Sequence, residues 1–190
     1  VGKKILQGKQ TQKVLAFYKP VGVTCTERDP HAEKKIMDMI RYPERLTYAG
    51  RLDKDSEGLI LLTNDGDLIN AMMRGGNRHE KEYIVKTDRE ITPDFLEKMA
   101  KGIYLKDLDI TTRECEIEQI GKFTFRIVLT QGVNRQIRRM CEACGYRVKA
   151  LKRIRIMNIL LGDLKPGKWR EVTGEELEQL QRDTGMLNRN

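Results

Sequence analysis

Hydrophobic positions along the chain switch between two periods, and the switches outline its elements. Val14-Leu15-Ala16-Phe17-Tyr18 is an uninterrupted apolar run that reads as a buried strand, stopped by Lys19-Pro20 and the turn residue Gly22. Glu33 to Arg41 carries Ile36, Met37 and Ile40 at helical spacing and ends before Pro43. Leu46 to Ala49 and Gly58 to Leu62 are predicted strands on either side of a loop, Gly50 to Glu57. After Asn64-Asp65-Gly66, a helix is predicted over Asp67 to Arg74, with Leu68, Ala71 and Met72 on one side. Glu82 to Thr87 reads as a strand. Thr92-Pro93 then opens a helix with proline at its first position and Phe95, Leu96 and Met99 as its apolar stripe.

From Ile103 to Thr130 the period becomes two. Glu114 to Glu118 and Phe123 to Ile127 alternate across a pleat with Gly121-Lys122 between them, which predicts a hairpin in an antiparallel sheet. A basic helix is expected over Asn134 to Cys144, ending at Gly145, followed by strands near Arg147 to Leu151 and Ile154 to Leu160. Asp163 to Lys168 is a turn. Thr173-Gly174-Glu175-Glu176 has the form of a capping box opening a last helix, with Leu177 and Leu180 facing inward. Many strands with interspersed helices argue for α+β, with a mixed, mainly antiparallel sheet flanked by helices. No repeat or composition break divides the chain, so one domain is expected over 14–183, with 184–190 as a tail.

Composition narrows the class. The 190 residues are 34% charged and 39% hydrophobic, with a mean hydropathy of -0.58, the balance of a globular domain. The apolar runs are a handful of residues, far below the roughly 20 that cross a bilayer. No charged-then-apolar leader opens the sequence, so neither a secreted nor a membrane protein is expected. Net charge is +8, and its distribution is uneven. Between Asn134 and Arg155 stand Arg135, Arg138, Arg139, Arg147, Lys149, Lys152, Arg153 and Arg155 against the single acid Glu142, a local excess of +7. A solvated charged face is one reading. A stripe rich in arginine, whose planar fork matches phosphate oxygens, is also the footprint of a nucleic-acid binder.

Cysteines add little. Cys141 and Cys144 form a C-x-x-C, but they fall in the last turn of a helix rather than at a helix start after a strand, so a thioredoxin-like role is not expected. The two histidines, His31 and His79, have no ligand spacing with Cys25, Cys115, Cys141 or Cys144, and no metal site is expected. Buried, reduced thiols are the expectation.

The segment richest in candidate chemistry is the loop between the second and third predicted strands, which carries Arg51, Asp53, Asp55, Ser56 and Glu57. It imitates the first half of a calcium loop, but the twelfth position is Asn64 rather than glutamate and the intervening residues are apolar. Local chemistry leaves two readings open: a polar turn whose Asp and Ser cap backbone N–H groups, or a functional loop. The longer pattern goes further. Gly50-Arg51-Leu52-Asp53-Lys54-Asp55-Ser56-Glu57-Gly58-Leu59, followed by Leu61-Leu62-Thr63-Asn64-Asp65-Gly66, resembles the central motif of bacterial ribosomal-RNA pseudouridine synthases of the RsuA type. Tyr18-Lys19-Pro20-Val21-Gly22 resembles that family's opening turn, Lys81-Glu82-Tyr83-Ile84-Val85 its tyrosine motif, and Gln131 to Met140 its third motif. The resemblance runs from about Val14 to Val172. The variants around His79 to Tyr83 and Arg155 to Asn158 are most similar to the RluF branch, which acts on large-subunit RNA. Family members usually begin with an S4-type RNA-binding domain; residues 1–13 resemble only the linker that follows it.

The resemblance implies the pseudouridine synthase fold with a central cleft, and a cofactor-free isomerisation of uridine in ribosomal RNA, in a stem-loop or an assembling subunit, in the bacterial cytoplasm. It makes Asp53 the nucleophile, by attack on C1′ or through a glycal-like route. Arg138 corresponds to the arginine that pairs with this Asp, with a phosphate contact as the alternative. Tyr83 corresponds to the tyrosine that stacks on the base and assists proton transfer at C5, though a core aromatic has the same signature. Ile137 is assigned to the apolar floor under the ring, Arg51 to the space left by the extruded nucleotide, and Lys81 to an accessory charge. Arg135, Arg139, Arg147, Lys149, Lys152, Arg153 and Arg155 are assigned to RNA phosphates, whose contacts would offset the few kcal/mol needed to flip a base. A monomer is expected. The competing classes are a non-catalytic RNA-binding or ribosome-assembly factor on the same fold, and a glycosidase acting on the base, for which a second carboxylate at a recognisable position is missing.

Overall fold

The computed structural model describes residues 11–25, 36, 39–74 and 78–186. Their elements run β1 Val14–Lys19, β2 Thr47–Ala49, β3 Glu57–Thr63, α1 Gly66–Met73, β4 Lys81–Thr87, α2 Pro93–Lys101, β5 Tyr104–Leu105, β6 Ile110–Thr111, β7 Glu116–Gly121, β8 Thr124–Leu129, α3 Gln136–Ala143, β9 Val148–Ile156, β10 Ile159–Leu160, β11 Trp169–Glu171 and α4 Gly174–Asp183. The helix expected over Glu33 to Arg41 and the linker expected over 1–13 fall largely outside the described residues, although Ile36, Met39 and Ile40 carry helical backbone.

Nine strands form one sheet in the order β11-β1-β3-β9-β4-β8-β7, with β2 added to β3 and β10 to β9. Every pairing is antiparallel except β3 with β9. The sheet is therefore mixed and mainly antiparallel. β1 is buried at all six positions and β3 at six of seven, because both of their faces are covered. Val14, Ala16 and Tyr18 face one way, onto Leu68 and Met72 of α1 and Leu180 of α4. Leu15 and Phe17 face the other, onto Ile36, Ile40, Leu46 and Tyr48. Beyond β9 a separate core forms from Val85, Phe125 and Ile127 under Phe95 and Met99 of α2 and Ile137 and Met140 of α3. The parallel junction β3–β9 joins the two halves, and it depends on Gly58. At a φ of +116°, a Cβ there would lie 2.3 Å from the Arg153 carbonyl oxygen.

Local chemistry sets the helix starts. Asp65 accepts from the N–H groups of Asp67 (2.9 Å) and Leu68 (3.3 Å) ahead of α1, and Thr92 accepts from Phe95 N–H (3.1 Å) ahead of α2. The capping box expected before α4 does not form. Gly174 takes a positive φ of 59°, and Glu176 binds the Arg170 guanidinium at 2.6 and 2.9 Å instead of reaching back to Thr173. The two strands expected between Arg147 and Leu160 are one long strand, β9, and a short β10. Lys152 and Arg153 continue the ladder opposite Ile84 and Tyr83, and the break comes at Met157, whose φ is 54°. The hairpin β7–β8 turns at Lys122-Phe123, one residue later than expected, and β5, β6 and β11 were not anticipated as strands.

Candidate active site

The loop 50–56 leaves β2 and enters β3 beside the parallel junction, and two buried cations hold it from beneath. Ser56 N–H donates to the Asp53 carbonyl (3.1 Å), closing a tight turn, and Gly22 N–H donates to the Lys54 carbonyl (2.8 Å). Lys19 is fully buried and its Nζ donates to the carbonyls of Val23 (2.6 Å), Pro20 (2.7 Å) and Lys54 (3.5 Å). It ties the Lys19–Gly22 turn to the loop, and burial pushes its pKa down. Arg153, only 2% exposed, donates from Nε to the Leu59 carbonyl (2.8 Å) and from Nη2 to the Gly50 carbonyl. Its assignment to an RNA phosphate is therefore wrong: the alternation of β9 turns it inward, where it braces both ends of the loop.

A cavity of about 710 Å³ opens over this platform. The loop supplies Arg51, Asp53, Lys54 and Ser56. Strand β4 supplies Lys81 and Tyr83, which share a face two residues apart. Residues 131–135 and the first turn of α3 close the far side with Arg135, Ile137 and Arg138. The fold thus brings together Asp53, Tyr83, Arg138, Arg51, Lys81 and Ile137 at one cavity, although they span 88 positions of sequence from 51 to 138.

The ion pairing differs from the expectation. Asp53 is met by Arg135, whose Nη1 lies 3.4 Å from Oδ2, and not by Arg138. Arg135 also grips Asp55 with both ends of its fork, at 3.1 and 2.9 Å. It reaches the two carboxylates because it sits in the left-handed region (φ 52°, ψ 36°) at the N-cap of α3, which turns its side chain over the loop. For a residue with a Cβ that conformation costs roughly 1–2 kcal/mol. Arg138, one turn further on, passes lower. Its Nη2 donates to the Asp55 carbonyl (3.0 Å) and the Ser56 hydroxyl (3.1 Å), and its Nη1 stands 3.6 Å from Asp55 Oδ2. Hydrogen bonding to Arg135 holds the Asp55 carboxyl below the usual carboxylate range and raises the Arg135 pKa in return.

The remaining basic residues divide. Arg155 donates to Glu82 (2.7 Å), Glu80 (3.1 Å) and the Met157 carbonyl (2.7 Å), so it serves an internal network rather than facing phosphate as expected. Arg139 donates to the Asn134 carbonyl (2.9 Å). Lys152 is half-buried with its Nζ 6.0 Å from the centre of the Tyr18 ring. The Tyr18 hydroxyl donates to Glu57, and burial together with that carboxylate pushes its pKa up to about 12. Arg147 and Lys149 are exposed, and among the described residues neither side chain enters an ion pair. The four cysteines are free thiols, and burial pushes Cys141 up to about 12 and Cys115 up to about 11, which keeps them unreactive.

Sequence reasoning missed the anchoring work of Lys19, Ser56 and Arg153 and the bridging work of Asp55. A lysine closing an otherwise apolar strand at Lys19-Pro20 was the one available signal.

A mixed sheet with an acidic loop at its central parallel junction, facing a strand tyrosine and an arginine-bearing helix, defines a class that comparison identifies. Residues 13–143 match the profile of the RNA pseudouridylate synthase family, and the chain belongs to that family. It is 47% identical over 167 residues to the dual-specificity RNA pseudouridine synthase RluF of Escherichia coli strain K12, covering 88% of this chain and 57% of that protein. The ribosomal large subunit pseudouridine synthase B of Vibrio cholerae is 34% identical over 177 residues, covering 88% of this chain and 54% of that protein. A crystal structure of a pseudouridylate synthase superposes with a TM-score of 0.83 at 28% identity, covering 91% of this chain and 75% of that one. The chain spans a little over half the length of these curated relatives. Among the described residues, no helix is long and apolar enough to cross a membrane.

Proposed function

We propose that this chain is the catalytic domain of a pseudouridine synthase that isomerises a uridine of ribosomal RNA, of the large subunit, in the bacterial cytoplasm. Asp53 is its nucleophile. The observation that carries the reading is the convergence of Asp53, Tyr83, Ile137 and two arginines on one cavity, whose volume of about 710 Å³ suits a single flipped nucleotide. The names of the two curated relatives support the substrate class.

The isomerisation breaks N1–C1′, turns the uracil in place and forms C5–C1′. C5 loses a proton and N1 gains one, so the reaction is balanced without oxidant or reductant. Asp53 sits on a loop that Lys19 and Arg153 fix from below, and Arg135 orients its carboxylate. A positioned carboxylate of this kind attacks C1′, or assists loss of the base by the glycal route. Tyr83 and Ile137 line the cavity; in this reading the flat base stacks against them and Tyr83 assists the proton at C5. Arg147 and Lys149 remain exposed for RNA phosphates.

The test is tritium release from ribosomal RNA carrying uridine tritiated at C5, with the wild-type chain and Asp53→Asn, on naked RNA and on ribosomal particles. Release by the wild type that disappears in the variant, with RNA binding intact, is expected. Binding without release from either protein would overturn catalysis and leave a non-catalytic RNA-binding factor.

A further inference from the structure

Lys81 stands out among the charged groups of the cavity because it is half-buried and nothing answers its charge, whereas the ammonium of Lys54 is exposed to water. Asp53 has Arg135, Arg138 has Asp55 and Ser56, and Arg153 has two backbone carbonyls. Lys81 extends from the first position of β4 into the same cavity, is half-buried, and among the described residues meets neither a carboxylate nor a hydrogen-bond acceptor. Its ladder neighbours are Leu129 on β8 and Ile156 on β9, both apolar and buried. The charged groups that share its cavity are Arg51, Asp53 and Lys54 from the loop, Arg153 from β9, and Arg135 and Arg138 beside and within α3, with Tyr83 two residues along its own strand. Burial, and secondarily the Arg153 guanidinium, push its pKa down, which is the cost of holding an unanswered ammonium here. A fold that only needed to fill this space would do so more cheaply with an apolar side chain.

The chemistry proposed for the cavity supplies the missing anion. When N1–C1′ breaks heterolytically its electron pair leaves with the base, and the uracil carries a negative charge spread over N1, O2 and O4. Asp53 answers the electron-deficient C1′, by ester formation or through the glycal route, and has no charge to offer the base. We propose that Lys81 is a catalytic residue that donates a hydrogen bond from its ammonium to a uracil carbonyl oxygen and stabilises the departing base anion. Lys81 keeps its proton throughout. As C5 joins C1′, the C5 proton leaves, N1 is protonated, the anion is quenched and the ammonium is again without a partner. This inference rests on the isomerase reading above and adds to it the group that carries the leaving-base charge.

The test pairs Lys81→Met with Lys81→Gln, measured by single-turnover tritium release and by thermal melting. Both variants are expected to melt at or above the wild-type temperature, because an uncompensated charge has been removed. The chemical step is expected to slow about 10²–10³-fold, the effect of losing one preorganised charge-stabilising donor, while KM changes by less than about threefold. A second substrate, RNA carrying 5-fluorouridine, is followed by loss of the nucleoside after digestion. Fluorine withdraws charge from the base anion, so the defect of both variants is expected to shrink about tenfold or more on it. A defect confined to KM, an unimpaired chemical step, or an equal defect on both substrates would overturn the role of Lys81 while leaving an active wild type to support the isomerase reading. An inert wild type would overturn both.

Discussion

The loop 50–56 and the basic stretch 134–155 both bring charge to the cavity, and the fold treats their charges in opposite ways. The loop keeps its two carboxylates at the surface, with the side chains of Asp53 and Asp55 39% and 50% exposed, yet its backbone is fixed by the cations Lys19 and Arg153 underneath. The basic stretch has an excess of +7 in sequence but presents little of it outward. Arg153 is buried, Arg155 is held by Glu80 and Glu82, and Arg135 and Arg138 turn onto the acidic loop. Strand parity and helix phase decide which arginines face water. A run of basic residues therefore says that cations are needed nearby, without saying whether nucleic acid or the protein's own carbonyls and carboxylates will receive them.

The sharpest way to break this contrast is to remove a cation from each side of it. Arg153→Met leaves the Gly50 and Leu59 carbonyls without their donor in a buried site, and bonds from a charged donor are worth about 1.5–3 kcal/mol each. A loss of about 3–5 kcal/mol in urea unfolding is expected for Arg153→Met. Arg147→Ala, at an exposed position, is expected to stay within about 0.5 kcal/mol of the wild type. Equal stabilities for the two variants would mean that Arg153 does not brace the loop.

How much of this was open to a reader of the sequence follows from the same distinction. The strands on either side of the loop, the three helices after Asp65, Thr92 and Thr173, and the mixed sheet were legible because apolar runs and turn residues bound them. Strands β5, β6 and β11 were not, since two or three residues are too few to show a period. The continuity of β9 was hidden because Lys152 and Arg153 look like an interruption when both faces of a strand carry cations. At the site, motif resemblance located Asp53, Tyr83, Lys81 and Ile137. The exchange of partners between Arg135 and Arg138 was invisible, because it depends on a left-handed backbone at an arginine, which no residue type in the sequence announces.

RNA binding gives a smaller effect that sorts the same arginines by a different measure. Each phosphate contact contributes about 0.7–0.9 to the slope of log affinity against log salt. Removing both exposed cations with Arg147→Ala and Lys149→Ala is expected to flatten that slope by roughly 1–2 while leaving unfolding unchanged. Arg155→Ala should do the reverse, lowering stability through its network with Glu80 and Glu82 and leaving the slope where it was. Filter binding across a salt series separates them, and a slope that responds to Arg155 rather than to Arg147 and Lys149 would place the RNA beside Arg155 instead.

The acidic loop yields the smallest effect, one with a definite sign. Asp55 has its pKa below the ordinary 3.8 in the folded protein, chiefly through the Arg135 hydrogen bond. In the window at and just below that value the unfolded chain binds more protons than the folded one, so stability rises with pH there. The contribution of Asp55 is thus complete above its ordinary value and is lost as pH falls through the folded one. With the side chain half exposed, solvent screening keeps it below about 1 kcal/mol. Asp55→Asn is accordingly expected to be slightly less stable than the wild type at pH 6, and the gap should be narrower at pH 3, where the carboxyl of the unfolded chain is largely protonated. Urea unfolding of the two proteins at both values reads this difference directly. A gap that stays constant with pH would assign the loss to altered hydrogen bonding rather than to charge. The Arg135 fork would then act on Asp55 by its geometry.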